Sequence, residues 1–255
     1  MVISSAKTAK SLGAKIGSKR GTKVITGRSG YVPSASVAGE EDPGASLGLV
    51  SGHGGIDFLE PSDKVAKALI GATLLVNGVG GIIVETEAYD EEDPASHSFG
   101  GQTLRNSSMF GPAGQAYVYQ SYGLHWCLNL VCMPAGHGAG VLIRALEPTQ
   151  GIEVMRRRRG LENTMLLCAG PGRVCQALAV TRDLDGLRIN APPFQLRPAP
   201  EGQTVNVVVG PRIGISKAAD LPWRFGLAGS RFVSHNFRLE QAAPAAQPAG
   251  RRRLP

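Results

Sequence analysis

The apolar positions of this chain change period several times between residues 60 and 180, and each change marks an element. Val65, Ala68 and Leu69 recur at helical spacing behind Ser62, which can cap a short helix, and Gly71 is placed to end it. TLLV and GIIVETEAY then read as two strands joined by Asn77-Gly78, a dipeptide that suits the left-handed conformations of a tight hairpin. QAYVY and LHWCLNLVC alternate across a turn near residues 120–123, and AGVLIRALEP reads as a further strand. Residues 149–159 suit a helix, and CAGPGRVCQALAV passes from a Gly-Pro-Gly turn into another. The strands cluster in mid-chain and follow one another mostly through hairpins. The pattern therefore predicts one α+β domain around an antiparallel or mixed sheet rather than a doubly wound one.

Composition refines this picture mainly at the ends. Residues 1–48 are rich in Ser, Gly, Ala and Lys, hold no acid before Glu40 and show no sustained period, so they read as a disordered basic extension of the kind also seen in organellar transit peptides. Residues 241–255 read as a disordered basic tail, which leaves residues 49–240 as the folded domain. The net charge of +7 is unevenly placed: residues 1–50 carry seven Lys or Arg against three acids, and Arg251, Arg252 and Arg253 supply the rest. Basic ends on a neutral body either give nonspecific affinity for a polyanion or serve as solvated linkers. Cys127, Cys132, Cys168 and Cys175 are too few and too irregular for a disulfide framework and miss the usual zinc spacing, so they read as reduced core thiols. No apolar run approaches the roughly 18 residues of a membrane span.

Candidate chemistry concentrates in VETEAYDEEDPASHS. In a strand over Gly81 to Tyr89, alternation puts Ile83, Glu85, Glu87 and Tyr89 on one face, and Ile82, Val84, Thr86 and Ala88 on the other, core-facing side. Two carboxylates at i and i+2 resist joint ionisation without a cationic partner, and Arg144, set among apolar neighbours in VLIRALEP, is a candidate. Alternation alone does not choose between the two glutamates, and either can also be a solvated edge residue. Tyr117, Tyr119, Tyr122 and Trp126 fall within ten residues, with Tyr122 in the turn where a ring projects. Such a cluster either packs a hairpin or stacks a planar or cationic ring. Arg156 to Arg159 would present at most two guanidinium groups to one partner, because a helix points them in every direction. Dinucleotide-binding, P-loop, serine-elbow and zinc-deaminase motifs do not occur.

ETEAY, a histidine eight residues after its tyrosine, TLRNSSMF, AYVYQSYG, CLNL and LIRALEP follow one another in this order. Together they resemble the alkyladenine, or 3-methyladenine, DNA glycosylase family, the type without a helix-hairpin-helix. The resemblance covers roughly residues 57–232, including CAGPGRVCQAL and PRIGISKA. It implies a curved sheet flanked by helices, with a protruding β-hairpin. It also implies that Glu87 activates the water and that Arg144 helps to hold it. Tyr89 and His97 would line one side of a pocket for a flipped base, Tyr119 the other, and a backbone group near Ile215 would lie close by. Asn129 would discriminate against guanine, and Tyr122 would intercalate from the minor groove.

The expected substrate is double-stranded DNA containing damaged purines of the 3-methyladenine, 7-methylguanine or hypoxanthine type. The expected enzyme is a monomeric, monofunctional hydrolase without metal, cofactor or membrane association, located with the DNA: cytoplasmic in a bacterium, nuclear or organellar in a eukaryote. A non-catalytic DNA-binding protein and a carbohydrate-active hydrolase are the alternatives, since paired glutamates and stacking aromatics also suit sugars.

Overall fold

A computed structural model of the protein describes residues 55–237. The expected extensions at 1–48 and 241–255 lie outside the described residues. Helix α1 (Ser62–Ala68) begins at Pro61, and Ser62 is buried inside its first turn without making a side-chain cap; the buried face is Val65, Ala66 and Leu69, with Ala68 exposed. Proline suits that start because its fixed φ is compatible with a helix entry and its missing N–H has no intrahelical acceptor there.

The strands are β1 (Thr73–Val76), β2 (Val79–Tyr89), β3 (Ala116–Ser121), β4 (His125–Val131), β5 (Gly140–Gln150), β6 (Phe194–Arg197), β7 (Val207–Gly210) and β8 (Arg224–Leu227). They form one curled sheet in the order β3-β4-β5-β2-β1-β6, and β8, carrying β7, pairs with β2 at Glu85 to Glu87, beyond the end of β1. Every pairing is antiparallel, the simpler of the two expected arrangements. Helices α2 (Ile152–Arg159), α3 (Thr164–Leu167) and α4 (Pro171–Leu178) follow β5. The helix expected from residue 149 starts later, because β5 continues through Gln150 and Gly151 turns the chain in a left-handed conformation. Three of the four arginines at the end of α2 tie it to its neighbours: Arg156 to the Glu162 carbonyl, Arg158 to the Ala177 carbonyl, and Arg159 to the Leu167 carbonyl.

Sheet geometry departs from strict alternation where it matters for chemistry. The β2/β5 register slips by one residue between Ile83 and Glu85 and again between Glu85 and Thr86, so Val84 and Arg144 stand as extra residues in their strands. Bulges of this kind re-aim side chains. Ile83, expected on the glutamate face, belongs to the main core with Ala88, and the Thr86 hydroxyl donates to the Ala66 carbonyl of α1. Glu85 and Glu87 face the other way, towards a smaller cluster of Met109, Tyr117 and Val131 on which Tyr89 and Tyr119 pack.

The sheet's outer strand β3 is not left bare. Asp185 accepts from the Val118 amide at 2.8 Å and from the Ser108 hydroxyl at 2.7 Å, while Ala116 exchanges backbone bonds with Leu187 and Gly186.

Candidate active site

Glu85 and Glu87 both have fully buried side chains, but the two carboxylates that alternation leaves equivalent have different partners. Glu85 is saturated. Its Oε1 accepts from Arg224 Nε at 2.8 Å, the Ser234 hydroxyl at 2.9 Å and Arg144 Nε at 3.3 Å, and its Oε2 from the Ser234 amide. Glu87 instead lies fully buried behind a cleft of about 630 Å³, and the three groups that bond to it, Tyr89, Arg144 and Ile213, all line that cleft. Its Oε1 accepts from the Ile213 amide at 2.7 Å, and its Oε2 from the Tyr89 hydroxyl at 2.9 Å and Arg144 Nη1 at 3.1 Å.

Arg144 thus bridges both carboxylates from the β5 bulge, and Arg224 brings the second positive charge. Two anions and two cations share this interior, the balance that buried charge requires. Burial pushes the Glu87 carboxyl above its ordinary range, opposed by Arg144, the Ile213 amide and the Tyr89 hydroxyl. For Arg144 burial acts to lower the pKa, but Glu87 and Glu85 outweigh it, and the guanidinium is held more firmly charged than in water.

The aromatic walls come from two strands and a loop. Tyr117 and Tyr119 share one face of β3, their ring centroids 5.4 Å apart. His97, delivered by the loop after β2, meets Tyr119 edge-on at 4.4 Å and places Nδ1 3.0 Å from the Tyr117 hydroxyl. The expectation that His97 shares a wall with Tyr89 opposite Tyr119 therefore needs correction. A base sandwiched between two rings needs them roughly 7 Å apart, so no base fits between His97 and Tyr119 in this arrangement. Burial and Arg105 lower the His97 pKa and so favour the neutral ring. Burial also raises the Tyr89 and Tyr119 hydroxyls, and pushes Tyr117 up to about 12. The connecting loop is more than a solvated link: Asp90 and Glu91 pair with His137, and Asp93 is buried against Arg212.

Asn129, buried on β4, donates to the Tyr117 carbonyl at 3.2 Å and lines the cleft. Ile215 lines it too, but the backbone group that touches Glu87 belongs to Ile213. Tyr122 stands at the mouth, 90% exposed, at the tip of the β3/β4 hairpin. The tip is a tight turn closed by the Leu124 amide on the Ser121 carbonyl, with Tyr122 at φ 50 and Gly123 at φ 68. A left-handed conformation disfavours a non-glycine residue by about 1–2 kcal/mol, so a tyrosine here has no local conformational advantage. Sequence reasoning did not reach Arg212, Ile213, Arg224, Ser234 or Asp93. The Val-rich run VNVVVGPRIG was the available signal for β7 and the segment after it.

The cleft and its surroundings lie almost entirely within a stretch shared with known proteins. Residues 56–231 match the family described as methylpurine-DNA glycosylase (MPG). A protein of Nitrosospira multiformis named as a 3-methyladenine DNA glycosylase is 67% identical over 183 residues, covering 72% of this chain and 94% of its own. Relatives of the same name in Rhodopseudomonas palustris (strain BisB18) and Agrobacterium fabrum are 61% and 58% identical, covering 71% and 72% of this chain and 89% and 93% of theirs. From the length and continuity of that match, the chain belongs to the methylpurine-DNA glycosylase family.

Proposed function

We propose that the protein is a monofunctional DNA glycosylase that extrudes an alkylated or deaminated purine from duplex DNA and hydrolyses its N-glycosidic bond. The observation that carries this reading is the placement of Glu87: a buried carboxylate held by three donors that all line an aromatic cleft, one of them a permanently charged arginine.

A base inside a duplex is unreachable, and unstacking it costs a few kcal/mol, least for damaged, weakly paired bases. Tyr122 offsets part of that by filling the vacated space from the minor groove. The extruded base lies against the faces of Tyr89 and Tyr119, with His97, Asn129 and Ile215 bounding it; alkylation at N3 or N7 makes the purine cationic, which suits tyrosine faces. Glu87 takes a proton from water as the water oxygen bonds to the sugar C1′. The C1′–N bond breaks, and its electron pair leaves with the purine. A raised carboxyl pKa makes Glu87 a better base near neutrality, and its negative charge stabilises the oxocarbenium-like sugar. The described residues lining the cleft include no lysine to form a Schiff base, which fits base removal without strand cleavage.

The partner is double-stranded DNA and the active species a monomer, working wherever the DNA lies, which in a bacterium is the cytoplasm. Glu87→Gln is expected to lower single-turnover base release from 3-methyladenine, 7-methylguanine or hypoxanthine duplexes by about 10²- to 10⁴-fold with lesion binding retained. Release at the wild-type rate would remove Glu87 from the mechanism. Binding without release by the wild-type protein on every lesion would favour a non-catalytic DNA-binding role.

A further inference from the structure

Arg212 touches neither Glu87 nor the cleft, yet it is among the most enclosed charges in the described protein. Its side chain is fully buried, and its guanidinium pairs with both carboxylate oxygens of Asp93 while also donating to the Ala88 carbonyl at 2.9 Å and the Ala218 carbonyl at 3.3 Å. It lies over two rings, 4.7 Å from the Tyr89 centroid and 5.4 Å from that of Trp223. Its Nε has no hydrogen-bond partner.

That arrangement is a poor way to gain stability. A buried ion pair is often no better than apolar residues of the same volume, and an unpartnered buried donor is itself unfavourable. It is a good way to fix geometry. Tyr89 lines the cleft and Arg212 does not, so the guanidinium covers the ring face turned away from the cleft. The Ala88 carbonyl anchors the same side chain to β2, one residue from Glu87 and from Tyr89. The next residue along the chain is Ile213, whose amide donates to Glu87 Oε1 at 2.7 Å. One side chain therefore joins the Tyr89 ring, the strand that bears the base, the Asp93 loop that leads to His97, and the backbone donor on the base itself.

We infer that Arg212 is a positioning residue, locked by Asp93, that sets the Tyr89 ring and holds the Ile213 amide against Glu87. Its catalytic consequence rests on the reading of Glu87 as the base. Its structural content does not.

The groups facing Glu87 are Arg144 from β5, Glu85 and Tyr89 from β2, and the Ile213 amide, with Arg224 of β8 acting through Glu85. Of the donors among these, the amide is the one Arg212 controls through the adjacent peptide. Loss of a single charge-assisted hydrogen bond to a carboxylate moves its titration upward by about one pH unit.

The test uses full-length protein and the variants Arg212→Met, Arg212→Lys and Asp93→Asn, the last keeping Arg212 and the local shape in case Arg212→Met does not fold. The first readout is the Ile213 amide resonance, which in the wild-type protein should follow the titration of Glu87. Expected results are loss of that coupling in Arg212→Met and Asp93→Asn, and partial retention in Arg212→Lys. The second readout is the pH profile of single-turnover release. The acid limb should move up by about one unit in Arg212→Met and less in Arg212→Lys, with plateau release down about tenfold and the KM for lesion duplex within about twofold. Folded variants in which the Ile213 resonance still follows Glu87, or whose release falls equally at every pH with the limb unmoved, would overturn the proposal. If the resonance behaves as expected but the wild-type profile is the same in Glu87→Gln, the fault lies with Glu87 as base and not with Arg212 as its positioner.

Discussion

A carboxylate enclosed by protein gives up its proton later than one in water, and this fixes the pH behaviour expected of Glu87. Burial raises its pKa above the ordinary 4.5, so the active carboxylate form is complete at high pH and is lost as pH falls through the raised value. Base release should therefore be level on the alkaline side and decline in acid along a limb above the usual carboxylate range. Because burial and Arg105 depress His97, any limb from that residue should lie on the acid side of an ordinary histidine's. A single-turnover pH series checks both points, and Arg144→Gln, which removes the nearest cation, should move the limb further upward. A limb that stays in place in that variant would mean that Arg144 does not act on the charge of Glu87. The difference between Glu87 and Glu85 was not legible from spacing. Both sit on one face of one strand, and what separates them is the set of partners, Arg224 and Ser234, that reach Glu85 from 139 and 149 residues further along the chain. A periodic pattern carries no trace of such distant contacts.

The elements themselves were unevenly readable. The hairpins announced themselves: Asn77-Gly78 adopts the left-handed pair its sequence suggests, and β3, β4 and β5 form where strands were expected. Strands β6, β7 and β8 are four residues each, too short for a period to show. The bulges at Val84 and Arg144 were hidden for a related reason, since one extra residue in each strand restores the register and leaves no net signature in sequence. The β3/β4 hairpin carries a prediction of its own. Tyr122 occupies a left-handed position that asparagine tolerates better, so Tyr122→Asn should stabilise the hairpin by about 1 kcal/mol, read as a small rise in Tm. The same change should slow release from a fully paired lesion duplex more than from a lesion opposite a gap, where there is no stack to enter. A variant with equal losses on both substrates would indicate that Tyr122 does not act by filling the duplex.

At the scale of the whole molecule, the curled sheet works as a partition. Its one side packs α1, α4 and the main core, and its other side holds the charged quartet and the aromatic cleft, so a single layer of backbone both supports the protein and carries the chemistry. A sheet used in this way ends in a strand whose outer amides look for partners, and on β3 Asp185 takes that role for Val118. Exposed strand edges recruit the edges of other chains. In Asp185→Ala the Val118 amide and the Ser108 hydroxyl lose their acceptor, and the variant should self-associate with rising concentration, in sedimentation or light scattering, while its dilute form still releases bases. A variant that stayed monomeric at every concentration would show that the backbone bonds of Ala116 close the edge by themselves. A carboxylate 67 residues away in the chain thus occupies an amide that a second copy would need in order to recruit β3, the strand that also bears the hairpin.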